Sequence, residues 1–289
     1  MRRLLTNHDG TQFFQLFPKL LEIGIVHPTM NTTKRFLKDF YETDAINQDE
    51  RKFVHYAHFR EMYQNLSAFE KYYVQYRQEN IIAAILKNGL AGKIIVDCGC
   101  AEGFISFEMS SAGANVIGLD LSAHKIRMAK NIKKKSKNNN IDFIVADAEN
   151  LPIKQGTCDI VILSEIIEHL PNPSICLNGI GSILTEKGLA FITIPKIHKT
   201  MGSALKFSRK KTHKVSYDFD PHIQSFDRNK FLNLLQSCGL KTISVNGIVF
   251  PIPRKLSFLL KFPKVVNLVN YLLSRFVHVS ILFSVRKFI

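Results

Sequence analysis

Three aspartates, two glycines and a glutamate-histidine cluster are the residues of this 289-residue chain best suited to chemistry. The stretch IIVDCGCAEGFIS at 94–106 carries an apolar run into Asp97, then Gly99 and Gly103, and then opens a helical pattern. A strand that ends in a tight glycine turn before a helix gathers backbone N–H groups and a positive helix end at one point, which suits an anionic group. On that ground alone the turn fits a dinucleotide pyrophosphate, an amino-acid carboxylate or a purely structural bend. Asp120 ends the next apolar run 17 residues after Gly103, where a carboxylate can accept both hydroxyls of a ribose. Asp147, followed by Ala148, ends a third run and can accept an adenine amino proton. Glu165, Glu168 and His169 follow a fourth run, where a group able to take a proton from an acceptor would sit.

Asp97 narrows the choice of ligand. Its negative charge beside the loop suits an ammonium better than two phosphates. A carboxylate, an ammonium, a ribose and an adenine together describe S-adenosylmethionine. NAD fits only part of that set, and an N-cap role for any one of the aspartates stays open.

The elements that must position these residues alternate between strand and helix from 93 onward, the signature of a parallel sheet with helices on both faces. KIIVD (93–97), NVIGLD (115–120), IDFIVAD (141–147), CDIVILSE (158–165) and GLAFITIP (188–195) are expected strands, with helices over 104–113, 122–135 and 173–184. Ser122 is the expected N-cap of the second of these helices. A helix at 228–238, a strand at 241–250 and a last strand at 279–289 follow a gap of about thirty residues. Residues 1–90 are expected to form helical cover, with 66–88 as its clearest helix and His55 and His58 as cover residues. Residues 91–250 form the expected core, 196–226 its acceptor-side segment, 251–276 an insertion and 277–289 the last core strand.

Composition sets further bounds. A hydrophobic content of 46% is ample for a core. No window of 18 uncharged apolar residues occurs, and MRRLLTNHDGTQFF lacks a signal peptide's apolar stretch, so a cytoplasmic protein is expected. Five cysteines are odd in number, and Cys98 and Cys100 have no second pair at zinc spacing, so neither a disulfide framework nor a thiolate metal site is expected. The net charge is +15, and the 62 residues from Arg228 to Ile289 contain no Asp or Glu. Such a segment is drawn to phospholipid headgroups or nucleic acid, unless it reflects a general basic bias with no partner.

DCGCAEG (97–103), VIGLDLS (116–122), DAENLPI (147–153), CDIVILSEIIEHLPNP (158–173) and LTEKGLAFITIP (184–195) resemble, in order and spacing, the successive motifs of class I S-adenosylmethionine-dependent methyltransferases. The resemblance covers roughly 90–250 and the last strand. It implies a Rossmann-like α/β fold with a mostly parallel seven-stranded sheet and an antiparallel last strand. Carried over by position, Asp97, Gly99, Cys100 and Gly103 would frame the methionine moiety, Asp120 the ribose, Leu121, Asp147 and Ala148 the adenine, and Ser164 the ammonium. Ala101 stands where many members have glycine, and an ordinary backbone conformation is expected for it.

The E-x-x-E-H spacing is similar to that of ubiquinone-pathway O-methyltransferases and of small-RNA 2′-O-methyltransferases, where it binds a divalent cation. By that likeness Glu165, Glu168, His169 and the later His222 would suit Mg²⁺, Mn²⁺ or Zn²⁺. The same likeness leaves His169, His222 or Glu165 as catalytic groups without metal, or as pocket structure. In the insertion, Val265, Val266, Leu268, Val269, Leu272, Leu273 and Phe276 recur at helical spacing, with Lys264 and Arg275 among the residues opposite them. A basic amphipathic helix either packs on its own domain or lies in a bilayer interface, at the inner membrane face. Lys206, Arg209, Lys210, Lys211 and Lys214 offer RNA an alternative site. The expected function is methyl transfer to oxygen or carbon of a small or lipid-linked acceptor. The alternatives are a metal-assisted RNA 2′-O-methyltransferase and a non-catalytic S-adenosylmethionine-binding module, with a dehydrogenase more distant.

Overall fold

The runs IIVDC, NVIGLD and CDIVILS are rich in β-branched residues and apolar at most positions, as strands covered on both faces must be. The computed structural model describes residues 68–136, 140–196, 223–249, 252, 259–260, 262–274 and 276–288. In it the strands are β1 (Ile94–Cys98), β2 (Asn115–Asp120), β3 (Ile141–Val145), β4 (Cys158–Ser164), β5 (Leu184–Pro195), β6 (Leu240–Ile248) and β7 (Ser280–Lys287). They form one seven-stranded sheet in the order β3, β2, β1, β4, β5, β7, β6. The first five are parallel, and β7 runs antiparallel to both β5 and β6. The expected architecture is therefore present. The largest boundary difference is that β5 starts at Leu184 rather than Gly188, where Leu184 pairs with Cys158 ahead of a register shift. In addition, β3 ends at Val145, two residues before Asp147.

Six helices accompany the sheet among the described residues: α1 (Ala68–Leu86), α2 (Phe104–Ser111), α3 (Ala123–Ser136), α4 (Pro173–Ile183), α5 (Arg228–Ser237) and α6 (Pro263–Leu273). Their starts follow from local chemistry. Ser122 caps α3, its Oγ accepting from the Lys125 N–H at 3.2 Å. Pro173 opens α4, where its missing N–H costs nothing. Asp227 caps α5 by accepting from the Lys230 N–H at 2.8 Å.

Alternation along each strand divides the core into two layers. Ile95 and Ile160 pack with Ile81 of α1, Ile105 of α2 and Ile126 of α3 on one face. Val96, Val161 and Leu163 pack with Leu177 of α4 and Phe231 of α5 on the other. Strand order reverses between β1 and β4, so their outgoing connections part to opposite faces and leave a crevice at their carboxyl ends. The loops holding the candidate residues all leave from that edge.

The first of these loops is unusual in its backbone. Gly99, Ala101 and Gly103 adopt φ of +73°, +48° and +89°. A β-carbon on Gly99 would stand 2.1 Å from Ile166 Cδ1, and one on Gly103 2.6 Å from Phe143 Cζ, so neither glycine can be replaced in place. The expectation for Ala101 is corrected here. It occupies the left-handed region, at a cost of about 1 kcal/mol, because its N–H must turn toward the Asp120 carboxylate, which accepts it at 2.9 Å. Ala101→Gly is accordingly expected to raise stability by about 1 kcal/mol, measurable by denaturant unfolding without ligand.

Candidate active site

Asp97 lies one residue before the end of β1 and is only 2% exposed. It accepts a hydrogen bond from Ser106 Oγ of α2 at 2.5 Å. Burial pushes its acid up to about 6, the Ser106 bond opposes this, and the charge of Asp120 adds to it. No cation among the described residues pairs with it. A buried carboxylate of this kind keeps its charge at neutral pH most readily when a cationic group is brought to it.

Asp120 ends β2 and binds the loop from the other side. Oδ2 accepts from the Ala101 N–H at 2.9 Å, and Oδ1 from the Ser122 N–H at 2.8 Å. Burial raises its acid as well, against the pull of those two N–H groups and of Lys125. Each oxygen retains a lone pair for a further donor, so the ribose role remains geometrically compatible. The loop is pinned once more by an ion pair between Glu102 and Lys125 of α3, both largely buried. That pair is not legible in the sequence, because Glu102 and Lys125 stand 23 residues apart with no shared pattern.

The remaining residues expected at the cofactor lie at the same edge. Asp147, two residues past β3, accepts from the Glu149 N–H at 2.9 Å and shapes an Asx turn. Leu121, Ala148 and Ser164 are each half-buried at the strand ends. Cys100 is buried, and burial pushes its thiol well above the usual range, so it is not poised as a nucleophile.

On the acceptor side the structure redistributes the roles. Glu165 stands at φ +55°, and its N–H donates to Thr193 Oγ1 at 3.0 Å. Its Oε1 accepts from Ser280 Oγ at 2.9 Å, while Oε2 accepts from Tyr73 Oη at 3.1 Å and lies 3.4 Å from Arg77 Nη1. Arg77 also lies over the Tyr73 ring, 5.3 Å from its centroid. Burial, then the Glu165 charge, push the Tyr73 phenol up, so it donates and does not act as a base. Glu165 is thus the centre of a polar knot joining α1, β4 and β7. Tyr73, Arg77 and Ser280 are partners that sequence reasoning missed.

Glu168 and His169 form a 3-10 turn just beyond, with Glu168 1% exposed and His169 Nε2 3.7 Å from Glu168 Oε1. The Glu168 carbonyl accepts from the N–H groups of Ile223 and Gln224, each at 3.1 Å, so the returning chain is stitched to this turn. His222 lies outside the described residues, as do His55, His58 and the 206–214 basic cluster. The expected cation set is not brought together: among the described residues no three His, Cys, Asp or Glu groups could hold a metal ion, and the Glu165 oxygens are committed elsewhere.

The knot should be a stability element. Arg77→Met is expected to cost about 3 kcal/mol in denaturant unfolding, because it leaves Glu165 buried without its counter-charge. Adding Glu165→Gln to that variant should cost less than the two single effects summed, the mark of a direct interaction.

Comparison with known proteins agrees with this geometry. A family model described as a methyltransferase domain matches residues 90–238, just over half of the chain. A ubiquinone biosynthesis O-methyltransferase of Colwellia psychrerythraea is 28% identical over 164 residues, covering 56% of this chain and 66% of its own. One from Cupriavidus pinatubonensis is 27% identical over 167 residues, covering 56% and 66%. The chain thus spans just under two thirds of the length of these relatives. Among solved structures, the fold matches a protein of Pyrococcus horikoshii OT3 with a TM-score of 0.53 at 16% identity, covering 74% of this chain and 91% of that one. It also matches the [4+2]-cyclase SpnF with a TM-score of 0.52 at 13% identity, covering 72% and 80%. At such identities the likeness shows architecture alone. The ordered motifs, the glycine loop tied to Asp120 and the family match together place the chain in the methyltransferase domain family, among the class I S-adenosylmethionine-dependent methyltransferases.

Proposed function

We propose that this chain transfers the methyl group of S-adenosylmethionine to oxygen or carbon of a small or lipid-linked acceptor. The observation that carries the reading is Asp97, a buried carboxylate with no cationic partner among the described residues, set beneath a loop whose two glycines hold the backbone at positive φ. The likeness to ubiquinone biosynthesis O-methyltransferases supports oxygen in particular. Bound there, S-adenosylmethionine supplies a methyl carbon activated by its sulfonium.

The chain's own residues then bind, orient and move a proton. Asp97 receives the ammonium, and Asp120 accepts ribose hydroxyls on the lone pairs that Ala101 and Ser122 leave. Leu121, Asp147 and Ala148 flank the adenine, and Ser164 offers its backbone to the ammonium. Displacement at a methyl carbon is in line, so most of the rate comes from holding the acceptor at the correct distance and angle. An oxygen acceptor must also lose its proton. His169 is placed to take it, with the Glu168 carboxylate 3.7 Å away to hold the resulting imidazolium. His222, covalently next to Ile223, is the second candidate base. Glu165 acts by positioning, fixing the turn from which His169 projects.

Two measurements test this reading. Below about pH 6 Asp97 carries a proton and cannot pair with an ammonium, so donor affinity is expected to fall as pH drops through that value, with proton release on binding rising toward one per ligand below it. Calorimetry in buffers of differing ionisation enthalpy reads both effects, and Asp97→Asn should remove the pH dependence while weakening binding more than about tenfold. A flat affinity profile in the parent chain would count against the ammonium role. For the acceptor, lipid, RNA and metabolite extracts are incubated with donor labelled in its methyl group and followed by mass spectrometry. Label is expected in lipid or small molecules; label confined to RNA would overturn the acceptor class, and no label anywhere would leave a binding module.

A further inference from the structure

Helix α6 presents two unlike faces. Val266 and Asn270, one turn apart, are 3% and 5% exposed, and Asn270 Oδ1 accepts from Tyr72 Oη of α1 at 3.4 Å. That is the face turned toward the protein. Val265, Leu268 and Leu272 recur at i, i+3 and i+7 on the other side and are exposed, Leu268 by 58%. Phe262 extends the stripe before the helix, and Phe276 extends it after, 78% exposed. The turn carrying Phe276 is ordered by its own bonds, the N–H groups of Phe276 and Val277 both donating to the Leu273 carbonyl at 3.0 Å. The sequence puts Val265, Val266, Leu268, Val269, Leu272, Leu273 and Phe276 on one helical face and leaves open whether it packs inward or meets a bilayer. In the structure only Val266 is buried, and the rest of the stripe faces out or lies at the margin.

We propose that this outward stripe docks on a lipid bilayer carrying anionic headgroups. An exposed row of two phenylalanines, two leucines and a valine is costly in water and matches the depth of an interfacial helix. Charge selects the occupant. The 62 residues from Arg228 to Ile289 contain ten Lys and Arg and not one acidic residue, and exposed Lys264 flanks the stripe, where its stem can lie along acyl chain and its ammonium reach a phosphate. A second copy of the chain would bring the same cations against one another. No helix among the described residues is long and apolar enough to cross a membrane, so the contact is in the interface plane.

The stripe is also placed at the acceptor edge. Asn270 is bonded to Tyr72, the neighbour of Tyr73 in the Glu165 knot, and β7, which follows the stripe, begins with Ser280 on that same carboxylate. Docking would therefore set the acceptor side of the site against the bilayer, and the acceptor class it selects, a lipid-soluble one, rests on the methyl-transfer reading above. Docking itself does not.

The test uses the full chain without donor or acceptor. Wild type is expected to sediment with vesicles of phosphatidylcholine and phosphatidylglycerol, and weakly with phosphatidylcholine alone. Leu268→Glu with Leu272→Glu should lower partition by more than about tenfold, since burying each leucine contributes about 2 kcal/mol, while thermal unfolding and donor binding stay as in wild type. The chain has no tryptophan, so Leu268→Trp supplies a sole reporter. Its emission is expected to shift blue on anionic vesicles and to be quenched by brominated acyl chains. An unquenched indole, equal sedimentation of the double glutamate variant, or wild type left in the supernatant each overturns the proposal. So does a dimer in solution that the double variant makes monomeric, which would assign the stripe to self-association. So does retention on a single-stranded oligonucleotide in place of vesicles. Normal vesicle binding with failed donor binding would sink the enzymatic reading and leave the docking surface standing.

Discussion

The ligand edge of this sheet depends on one bond, the Ala101 N–H to the Asp120 carboxylate. Three residues of the loop from 99 to 103 sit at positive φ, and one of them is not glycine. Left-handed backbone at alanine costs about 1 to 2 kcal/mol. A hydrogen bond to a charged acceptor contributes about 1.5 to 3 kcal/mol, enough to hold the residue there. The Leu119 carbonyl fastens the start of the loop by accepting from Gly99 and Cys100 at 2.7 and 2.9 Å. Asp120 is thus a structural acceptor before any ligand arrives, and its free lone pairs are aimed by the same bonds that make the loop.

The opposite side of the crevice is held by the converse arrangement, a carboxylate at the centre with donors around it. Glu165 collects Tyr73, Arg77 and Ser280, and so ties the helix before the sheet and the last strand to the end of β4. Both Glu165 oxygens are already engaged, by two hydroxyls and a guanidinium, so neither is turned to an acceptor. That leaves His169 as the proposed base, beside buried Glu168 on a turn stitched to the returning chain. Distance from the chemistry does not make Glu165 dispensable, because the turn inherits its position from it.

What was legible in the sequence was local. β2 spans NVIGLD as expected, since β-branched runs bounded by glycine and aspartate allow little else, and Ser122 caps α3 because its hydroxyl can reach the third N–H. The site's aspartates were legible for the same reason, as each lies within two residues of a strand's carboxyl end. The Ala101 conformation was not, because alanine carries no mark of a positive φ and the force that imposes it comes from Asp120, 19 residues on. The partners of Glu165 were hidden too, 92 and 115 residues away in elements whose neighbours only the sheet order reveals. For α6 the period was legible and the direction was left open. Seven apolar residues span so wide an arc that the sequence cannot say which edge turns inward, and one asparagine, bonded to Tyr72, settles it.

Charge is sorted in this molecule by depth. The chain carries +15 overall, yet Asp97, Glu102 and Glu168 are buried at the ligand edge and Asp120 is half-buried among them. Lys125 is the one cation among the described residues drawn in beside Glu102, and Arg77 the one beside Glu165. Burial holds the Asp97 and Asp120 acids high, and the charges of Asp120 and Glu102, respectively, add to it. Such a pocket favours a cationic occupant and disfavours a pyrophosphate, which would bring more negative charge to carboxylates already short of counter-ions. The surface has the opposite preference. An acid-free segment ending in β7 draws anions from outside while the crevice a few residues away draws cations within. On the proposed reading, a ligand bearing a sulfonium and an ammonium would satisfy the inner field and an anionic bilayer the outer one, so the two would not compete.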